Sequence, residues 1–464
     1  MSLRIGRSGL VGRASASFPI PGSPEGTGTD LAWIDDFWSK AGEHIFCRED
    51  DGALILPPNR VYKVNATAAS LIAYLKRGGK VAKLKLPSAE AQRDTALFFG
   101  DLASLYRGDE PLNGTVSAKT YSFSFTRLPV LGEIALTYRC NNACRFCYAG
   151  CGLKRGLTPS LLFPSAAAHR PERPTADYKH IIDIFADEAQ IPFFSFTGGE
   201  PTLRSDLEEL IAYAQQKKLI TNLVTNGTLI DAARAHALKE AGLGSAQVSI
   251  EGPTADIHDN LAGRPGAFTE TLAGIKALQE AKIPTQTNTT ITRANLAVIH
   301  QMPAFLASIG IHRFAMNLFI PTILGEEADR LFVSYEEIGP YVDAVAKEAK
   351  KLGMTFFWYS PTPFCNYNPI ARGHGNKSCA AADGLLSVAP DGSVLPCSSW
   401  DEPIGNLFSQ NFRDLWFSEA ARFYKEKRFA PAPCTSCESF VACQGACPLY
   451  WRYTHSEPSG FKKT

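Results

Sequence analysis

The sequence lacks an excess of charge of either sign, and it lacks any long apolar run. Its 464 residues include 47 lysines and arginines against 46 aspartates and glutamates, a formal net charge of +1. A balanced charge gives no reason to expect nucleic acid or a membrane surface as a partner. No apolar run reaches the ~18 residues of a membrane-spanning helix. The 45% hydrophobic and 20% charged content instead predicts a soluble globular protein of two or three domains.

An export signal is also missing. The first 30 residues are rich in Gly, Ser, Pro and Arg and have no apolar core. Arg4, Arg7 and Arg13, with no acid before Glu25, are compatible with a transit peptide. The composition favours a disordered tail over residues 1–30. We therefore expect a cytoplasmic protein whose cysteines are reduced and bind metal.

Cysteine is concentrated in two places. Of the twelve cysteines, one precedes residue 140, four lie at 140–151 and seven at 365–447. Cys140, Cys144 and Cys147 follow an apolar run at 134–138 that predicts a strand. Three thiolates in one tight loop can hold three irons of a [4Fe–4S] cluster and leave the fourth iron open, as a catalytic centre needs. Zinc, with Cys151 as a fourth ligand, is the alternative.

The second cysteine group has a specific spacing. Cys365 precedes the pattern Cys379, Gly392-x4-Cys397 and Cys434-x2-Cys437-x5-Cys443-x3-Cys447. Thiolates that converge on iron from separate loops would hold together a region with little regular core. Zinc ribbons also use Cys-x2-Cys pairs, so zinc is again the alternative.

Between the two groups, strand-like and helical patterns alternate. Strands are predicted at 134–138, 193–197, 220–224, 246–250, 285–291 and 314–318. Helices are predicted near 177–189, 205–217, 230–241, 267–281, 295–308 and 335–352. Six such units predict an α/β fold with a parallel sheet covered by helices. Ligands then bind at the C-terminal ends of the strands.

Glycine and polar residues stand at those strand ends. After the second strand, the two glycines of Gly198-Gly199-Glu200-Pro201 let the backbone approach a ligand, and Glu200 can accept a hydrogen bond from an ammonium group. The later ends carry Thr225 with Asn226, then Ser249 and Glu251, then Asn288 and Thr290 with Arg293. Plain turns and loop caps are the alternative for these polar residues.

The cysteine loop, with Phe146 before its third cysteine, resembles the signature of the radical S-adenosylmethionine (SAM) superfamily. Gly198–Pro201 looks like that family's methionine-binding motif. The resemblance implies a partial (β/α)6 TIM-type barrel over 130–352, whose open iron chelates SAM and cleaves it to a 5′-deoxyadenosyl radical. It also implies a flavodoxin or ferredoxin as reductant. The implied SAM contacts are Phe146, Gly198, Gly199, Glu200, Pro201, Thr225, Asn226, Ser249, Asn288 and Arg293.

One departure from the family lies after His258-Asp259. Many relatives carry a SAM-contacting arginine where this chain has Ala262. Arg264 or Arg293 could substitute, and the sequence does not choose between them. A long insertion at 152–174 is either a lid over the barrel or a disordered loop.

The tail over 355–464 resembles the SPASM extension of radical SAM enzymes, which binds auxiliary Fe–S clusters. By that resemblance one cluster is held by Cys365, Cys379, Cys397 and Cys447, and a second by Cys434, Cys437 and Cys443. The usual pattern closes with one more cysteine, and none follows Cys447. The second cluster is therefore expected to be absent, to have an open iron, or to use a ligand such as His455 or Asp401; four-cysteine ligation would need Cys151 or Cys47. Ser398 replaces the aspartate of sulfatase-maturing relatives, which argues against formylglycine formation.

Residues 31–110 resemble a small winged-helix peptide-recognition domain (PqqD-like). Two strand-like pieces, 44–47 and 53–56, precede a helix for which Asn65 or Thr67 is the predicted N-cap. In the family a leader peptide adds to the exposed hairpin edge. A packing or dimerisation domain without a ligand is the alternative.

These features together predict an enzyme that modifies a precursor peptide, with no nucleic acid and no membrane partner. The alternatives are the tailoring of a small cofactor such as a tetrapyrrole, and a non-catalytic Fe–S or zinc protein. No residue selects the bond that is formed.

Overall fold

The computed structural model describes residues 30–56, 60–116, 127–151, 170–322, 326–375 and 378–454. Residues 152–169 of the predicted insertion at 152–174 lie outside the described residues. The predicted tail before residue 30 and His455 also lie outside them. The chain divides into two compact units. The first ends at Val130, and the second begins at Leu131 and is also assigned residues 121–123. No helix in these described stretches is both long enough and apolar enough to cross a membrane.

The first unit is built around a small antiparallel sheet. Its elements are α1 (Ala32–Ala41), β1 (Phe46–Cys47), β2 (Ala53–Leu56), β3 (Arg60–Lys63), α2 (Ala66–Lys76) and α3 (Ala89–Arg107), with the strands in the order β1-β2-β3. Of the two predicted caps, Asn65 is the one that accepts from the Ala68 N–H at the start of α2. Apolar side chains of the helices and of β2 form one core, including Phe37, Ile72 and Phe99.

The second unit contains a parallel sheet in which each strand pairs with the next along the chain. The strands are β4 (Leu131–Thr137), β5 (Phe193–Gly198), β6 (Ile220–Thr225), β7 (Ser245–Ser249), β8 (Thr285–Ile291), β9 (Arg313–Leu318) and β10 (Thr355–Trp358). The helices are α4 (Thr175–Asp183), α5 (Leu207–Gln216), α6 (Ala232–Glu240), α7 (Ala255–Ala262), α8 (Ala267–Glu280), α9 (Met302–Ser308), α10 (Glu326–Leu331) and α11 (Tyr335–Lys351). The predicted α/β barrel class is confirmed.

The sheet continues into the cysteine-rich tail. There β11 (Leu385–Val388) pairs in parallel with β4, and β12 (Ser393–Leu395) and β13 (Gly405–Asn406) follow in antiparallel order. Short helices complete the tail: α12 (Phe412–Trp416), α13 (Glu419–Lys425), α14 (Ala432–Thr435), α15 (Phe440–Cys443) and α16 (Pro448–Tyr453). The sequence patterns did not predict β10 to β13, because these strands are only two to four residues long.

The two faces of the parallel sheet differ in polarity. Side chains on one face are fully buried and mostly apolar; among them are Phe194, Phe196, Leu223, Val248, Phe314 and Met316. Alternate positions carry polar side chains, and Glu133, Ser195, Asn222 and Ser245 stand in register across neighbouring strands. Because side chains alternate along a strand, the apolar face packs against the helices and the polar face lines the inside of the barrel.

Candidate functional site

The loop that carries Cys140, Cys144 and Cys147 follows β4 and rests on the C-terminal end of α7. The Ala143 N–H donates to the Ala262 carbonyl at 2.9 Å, and the Arg145 N–H donates to the Leu261 carbonyl at 3.0 Å. Gly263 ends α7 with φ +66°, and a Cβ there would lie 2.1 Å from the Ala143 carbonyl oxygen. A glycine is therefore required for the helix end to meet the loop this closely.

The Gly-Gly turn after β5 lies beside the same loop. The Gly199 N–H donates to the Thr137 carbonyl at 2.7 Å, and the Glu200 N–H donates to the Arg139 carbonyl at 2.9 Å. Gly198 has φ +130°, and a Cβ on it would lie 2.1 Å from the Thr137 oxygen. The turn is thereby held one residue from Cys140.

The Glu200 side chain is fully buried and accepts hydrogen bonds from within the chain. The Thr202 N–H (3.0 Å), Thr202 Oγ1 (2.6 Å) and Thr225 Oγ1 (2.8 Å) donate to Oε1, and the Asn226 N–H donates to Oε2 at 2.8 Å. This carboxylate ties the Gly-Gly turn to the end of β6. Its predicted hydrogen bond from a ligand ammonium group stays a prediction, whereas the tie between strands was not predicted.

Asn226 reaches from the end of β6 to the cysteine loop. Its Nδ2 donates to the Asn141 Oδ1 at 2.8 Å and lies 3.9 Å from the Cys140 Sγ. Thr225 contributes through its hydroxyl to Glu200. Hydrogen bonds thus join several of the residues predicted as SAM contacts into one group beside Cys140. These residues are Gly198 to Pro201, Thr225 and Asn226.

Two further predicted contacts lie on later strands of the barrel, and a third, Phe146, lies within the cysteine loop. Ser249 and Asn288 stand opposite each other in register on β7 and β8, and the Asn288 Nδ2 donates to Asn317 Oδ1 at 2.7 Å. The buried Asn288 Oδ1 has no hydrogen-bond partner among the described residues. The Phe146 ring packs in an apolar cluster with Leu261 and Phe319.

The two candidate arginines differ in their surroundings. Arg264 Nε donates to Asn142 Oδ1 at 2.7 Å, inside the cysteine loop. The Arg293 guanidinium pairs with Glu337 on α11 and is about half exposed. The Arg264 guanidinium also pairs with Glu270, so both arginines are paired with a glutamate, and of the two it is Arg264 that contacts the cysteine loop. A substitute for the arginine missing at Ala262 stays a prediction.

Burial disfavours the thiolate form of two of the three loop cysteines. Burial raises the pKa of Cys140 to about 11 and raises that of Cys144 well above its usual value. A hydrogen bond with Cys151 lowers the pKa of Cys147 to about 7, and the Cys151 N–H lies 3.4 Å from the Cys147 sulfur. The charge of Cys147 also raises the pKa of both Cys140 and Cys144. Positively charged iron would offset this repulsion and stabilise the three thiolates.

The donor set and its spacing fit an iron–sulfur cluster. In the stretches that the structure describes, no three His, Cys, Asp or Glu side chains lie close enough to hold one metal ion. Thiolates of a cubane each bind a different iron and stand farther apart than the ligands of a single ion. Three cysteine ligands would leave one iron of such a cluster open to a further ligand.

The seven cysteines of the tail form two groups. Cys379, Cys397 and Cys447 share an apolar cluster with Trp400 and Leu449; we call these three the inner group. Cys434, Cys437 and Cys443 lie within one short stretch, and the segment of Cys365 meets it, since the Phe364 N–H donates to the Cys443 sulfur at 3.4 Å; we call these four cysteines the outer group. The predicted ligation of one cluster by Cys365 together with Cys379, Cys397 and Cys447 stays a prediction.

A buried ion pair lies beside the inner group. The Lys427 and Asp383 side chains are 0% and 2% exposed, and their charged atoms are 2.9 Å apart. Lys427 Nζ also donates to the Cys379 carbonyl at 2.8 Å. The side chain is therefore both neutralised and hydrogen-bonded, as a buried cation must be.

Glu133 is a residue that the sequence motifs do not identify. Ser387 Oγ and the Ser398 N–H both donate to Glu133 Oε1, at 2.6 and 3.0 Å. Burial raises its pKa, and its charge acts on both Tyr148 beside the cysteine loop and Cys397 of the inner group. The signal in the sequence is an acid within an otherwise apolar strand, which is rare unless the side chain has a partner or a function.

Two family models match the chain. The model of the radical SAM superfamily matches residues 134–295, and the SPASM model, described as an iron–sulfur cluster-binding domain, matches residues 379–438. These ranges contain the first cysteine loop and four of the seven tail cysteines.

Relatives of the chain include enzymes with different substrates. The AdoMet-dependent heme synthase of Methanosarcina barkeri is 31% identical over 338 residues, 69% of this chain and 92% of that protein. The PqqA peptide cyclase of Gluconobacter oxydans is 28% identical over 321 residues, 67% of this chain and 83% of that protein. The crystal structure of Streptococcus suis SuiB shares the fold, with a TM-score of 0.63, 16% identity and coverage of 90% of this chain and 97% of that one.

Proposed function

Because the chain belongs to the radical SAM superfamily and carries the SPASM extension, we propose that it is a peptide maturase. It removes hydrogen from a precursor peptide and so installs a crosslink or an oxidation. The observation that carries the proposal is the first unit, which has its own core and a small antiparallel sheet with free edges in its described part.

The protein is an enzyme whose cofactors are a [4Fe–4S] cluster, SAM and, in the SPASM region, auxiliary Fe–S clusters. When bound, the reduced cluster and SAM supply one-electron cleavage and a 5′-deoxyadenosyl radical that abstracts hydrogen. Cys140, Cys144 and Cys147 would hold this cluster. A flavodoxin or ferredoxin is the proposed reductant.

Main-chain groups of the Gly-Gly turn would orient the SAM methionine. Glu200 keeps that turn in place through its bonds to Thr202, Thr225 and Asn226. Arg264 is bonded to Asn142 of the loop and paired with Glu270, so it would position the cysteine loop beside the ligand. Preformed hydrogen bonds of this kind cost no reorganisation when the ligand arrives.

The inside of the barrel offers the substrate a polar surface. Glu133, Ser195, Asn222 and Ser245 form a row across it, and Asn222 donates to Ser195 while accepting from Ser245. Glu133 accepts two bonds at one oxygen and, as a carboxylate, has acceptor capacity left for a peptide N–H or ammonium group. Its charge reaches toward both Tyr148 and Cys397, so a bound peptide contacting Glu133 would lie near the first cluster and the inner group.

The first unit would bind the leader by strand addition. Edge strands such as β3 offer unpaired main-chain groups to an extended peptide. SuiB has been crystallised with its precursor peptide SuiA, and its fold covers 91% of this chain in that complex. The predicted PqqD-like role of residues 31–110 rests on this likeness and on the pattern of elements.

A second candidate is the modification of a tetrapyrrole. It is favoured by the 31% identity to the heme synthase, which exceeds the 28% to the peptide cyclase. The first unit distinguishes the two candidates, because the proposed leader contact would be made there and a tetrapyrrole would not need it.

The test is a comparison of substrates with the full-length, anaerobically reconstituted enzyme. SAM, dithionite and either a short peptide encoded beside this gene or Fe-coproporphyrin III are added, and 5′-deoxyadenosine and product mass are measured. A peptide product lighter by two hydrogens, formed only when the leader is present, supports the proposal. Turnover of the porphyrin with no peptide product would overturn it in favour of the second candidate.

A further inference from the structure

Cys365 lies with cysteines that are about seventy residues downstream. The Phe364 N–H, next to Cys365 in the chain, donates to the Cys443 sulfur at 3.4 Å. The segment of Cys365 is thereby brought to Cys443, and the turns of the downstream stretch hold the other cysteines nearby: the Cys437 N–H donates to the Cys434 carbonyl at 3.1 Å, and the Phe440 N–H donates to the Cys437 carbonyl at 2.9 Å. The outer group is therefore assembled from two separate segments.

The loop that carries Cys365 is held in this position by α11. Tyr335 Oη donates to the Pro361 carbonyl at 2.9 Å, and Asn366 Nδ2 donates to Glu336 Oε1 at 3.0 Å. Tyr335 in turn stacks on Tyr450 of α16, with ring centroids 3.6 Å apart. These contacts fix the loop from both sides of Cys365.

The inner group is separate in both packing and charge. Its three thiols pack in a cluster with Trp400, Phe429 and Leu449. The buried Lys427 stands beside Cys379, and its Nζ donates to the Cys379 carbonyl at 2.8 Å. Cys379 is buried, and Cys365 is exposed.

We propose that Cys365, Cys434, Cys437 and Cys443 are the four ligands of one auxiliary cluster, and that Cys379, Cys397 and Cys447 are the cysteine ligands of the other. Four thiolates are a complete ligand set for a [4Fe–4S] cluster. The inner cluster then has three, and its remaining position is free for a non-cysteine ligand or for substrate. This assignment rests on the iron–sulfur chemistry of the proposed function, but not on the identity of the substrate.

The experiment compares cysteine variants of the full-length enzyme after anaerobic reconstitution. Cys365→Ala, Cys434→Ala and Cys397→Ala are examined alone and in pairs by iron and sulfide content and by EPR of the dithionite-reduced protein. Cys47→Ala, a half-buried thiol of the first unit, is the matched control and should keep every signal.

We expect Cys365→Ala and Cys434→Ala to alter or remove the same EPR signal. The double variant Cys365→Ala/Cys434→Ala should lose no more iron than Cys434→Ala alone. Cys365→Ala combined with Cys397→Ala should lose the iron of two clusters. If Cys365→Ala instead changes the signal that Cys397→Ala changes, or changes none, the assignment is wrong. Peptide turnover is measured separately, so a wrong substrate class would leave these spectra unaffected.

Discussion

Glu133 and His258 show how single side chains link distant parts of the second unit. Glu133 on β4 accepts from Ser387 and from the Ser398 N–H. The sequence has a serine where sulfatase-maturing relatives have an aspartate, and the structure brings a carboxylate to that serine from another strand. Glu133 thus places a carboxylate near Cys397, although the residue that follows Cys397 in the chain is a serine.

We expect Glu133→Gln to lower product formation. Loss of a hydrogen bond to a charged group is worth about 1.5–3 kcal/mol, which corresponds to roughly ten- to hundredfold in turnover. The 5′-deoxyadenosine formed without substrate should stay unchanged, because the cysteine loop is not altered. Ser387→Ala, which removes one donor but keeps the carboxylate, is the control and should have the smaller effect. Normal product formation by Glu133→Gln would exclude a contact with substrate.

His258 makes stability depend on pH. It is 2% exposed, and its Nδ1 accepts from the Glu251 N–H at 3.1 Å. Burial lowers its pKa from 6.5 to about 4. The unfolded chain therefore binds a proton below pH 6.5 that the folded chain does not take up until about pH 4, so stability falls as the pH drops through this window.

The expected loss from this one histidine is about 2 kcal/mol between roughly pH 7 and pH 5. His258→Asn keeps an acceptor near the Nδ1 position and does not titrate, so its stability should fall less over the same range. Urea unfolding of both proteins at the two pH values measures the difference. Parallel pH dependences would show that His258 does not cause the effect.

At the scale of elements, the site is a set of strand and helix ends that meet. The cysteine loop rests on the end of α7, and the turn after β5 is bonded to the end of β4. Gly263 is the point of closest approach, whereas Gly266, three residues on, has φ +82° and open space around it, because a Cβ there would meet no atom within 4 Å. The two glycines share a left-handed backbone and differ only in their neighbours.

A comparison of substitutions at Gly263 and Gly266 separates the effect of loop packing from the effect of backbone strain. Gly266→Ala should cost about 1–2 kcal/mol, the penalty for a Cβ in the left-handed region. Gly263→Ala should cost more and should also displace the Ala143 carbonyl, so that less iron is retained at Cys140, Cys144 and Cys147. Urea unfolding and iron content measure the two effects. Equal iron content in both variants would contradict the role given to Gly263.

At the scale of the whole molecule, two units have separate hydrophobic cores. Phe99 is 0% exposed in the first, and Phe196 is 0% exposed on β5 of the second. Truncation of a buried phenylalanine to alanine typically costs about 3–5 kcal/mol. The proposed division of labour predicts that the two truncations have different consequences for catalysis.

Phe99→Ala should impair peptide turnover and leave 5′-deoxyadenosine formation without substrate intact, since leader binding belongs to the first unit. Phe196→Ala should impair both. The measurement is 5′-deoxyadenosine with and without peptide, together with unfolding monitored by circular dichroism. A fall in substrate-free cleavage in Phe99→Ala as large as in Phe196→Ala would overturn the division.

The sequence by itself determined the features that are local in the chain. The Cys140–Cys147 loop, the Gly-Gly turn and the six β-α units each lie within a short window, so spacing and periodicity are enough to predict them. Asn65 was one of two predicted caps for the same reason, and the hydrogen bond to Ala68 selected it.

Only the tertiary structure decided what depends on residues far apart. The segment of Cys365 meets Cys443, Glu200 accepts from Thr225 and Asn226 at the end of the next strand, and Arg264 rather than Arg293 bonds to the cysteine loop. In each case the path of a loop and the packing of a helix end determine which residues come into contact. A local sequence pattern does not contain that information. Hydrogen bonds and thiol groupings of this kind follow from three-dimensional proximity, and the barrel creates that proximity by bringing all its strand ends to one rim.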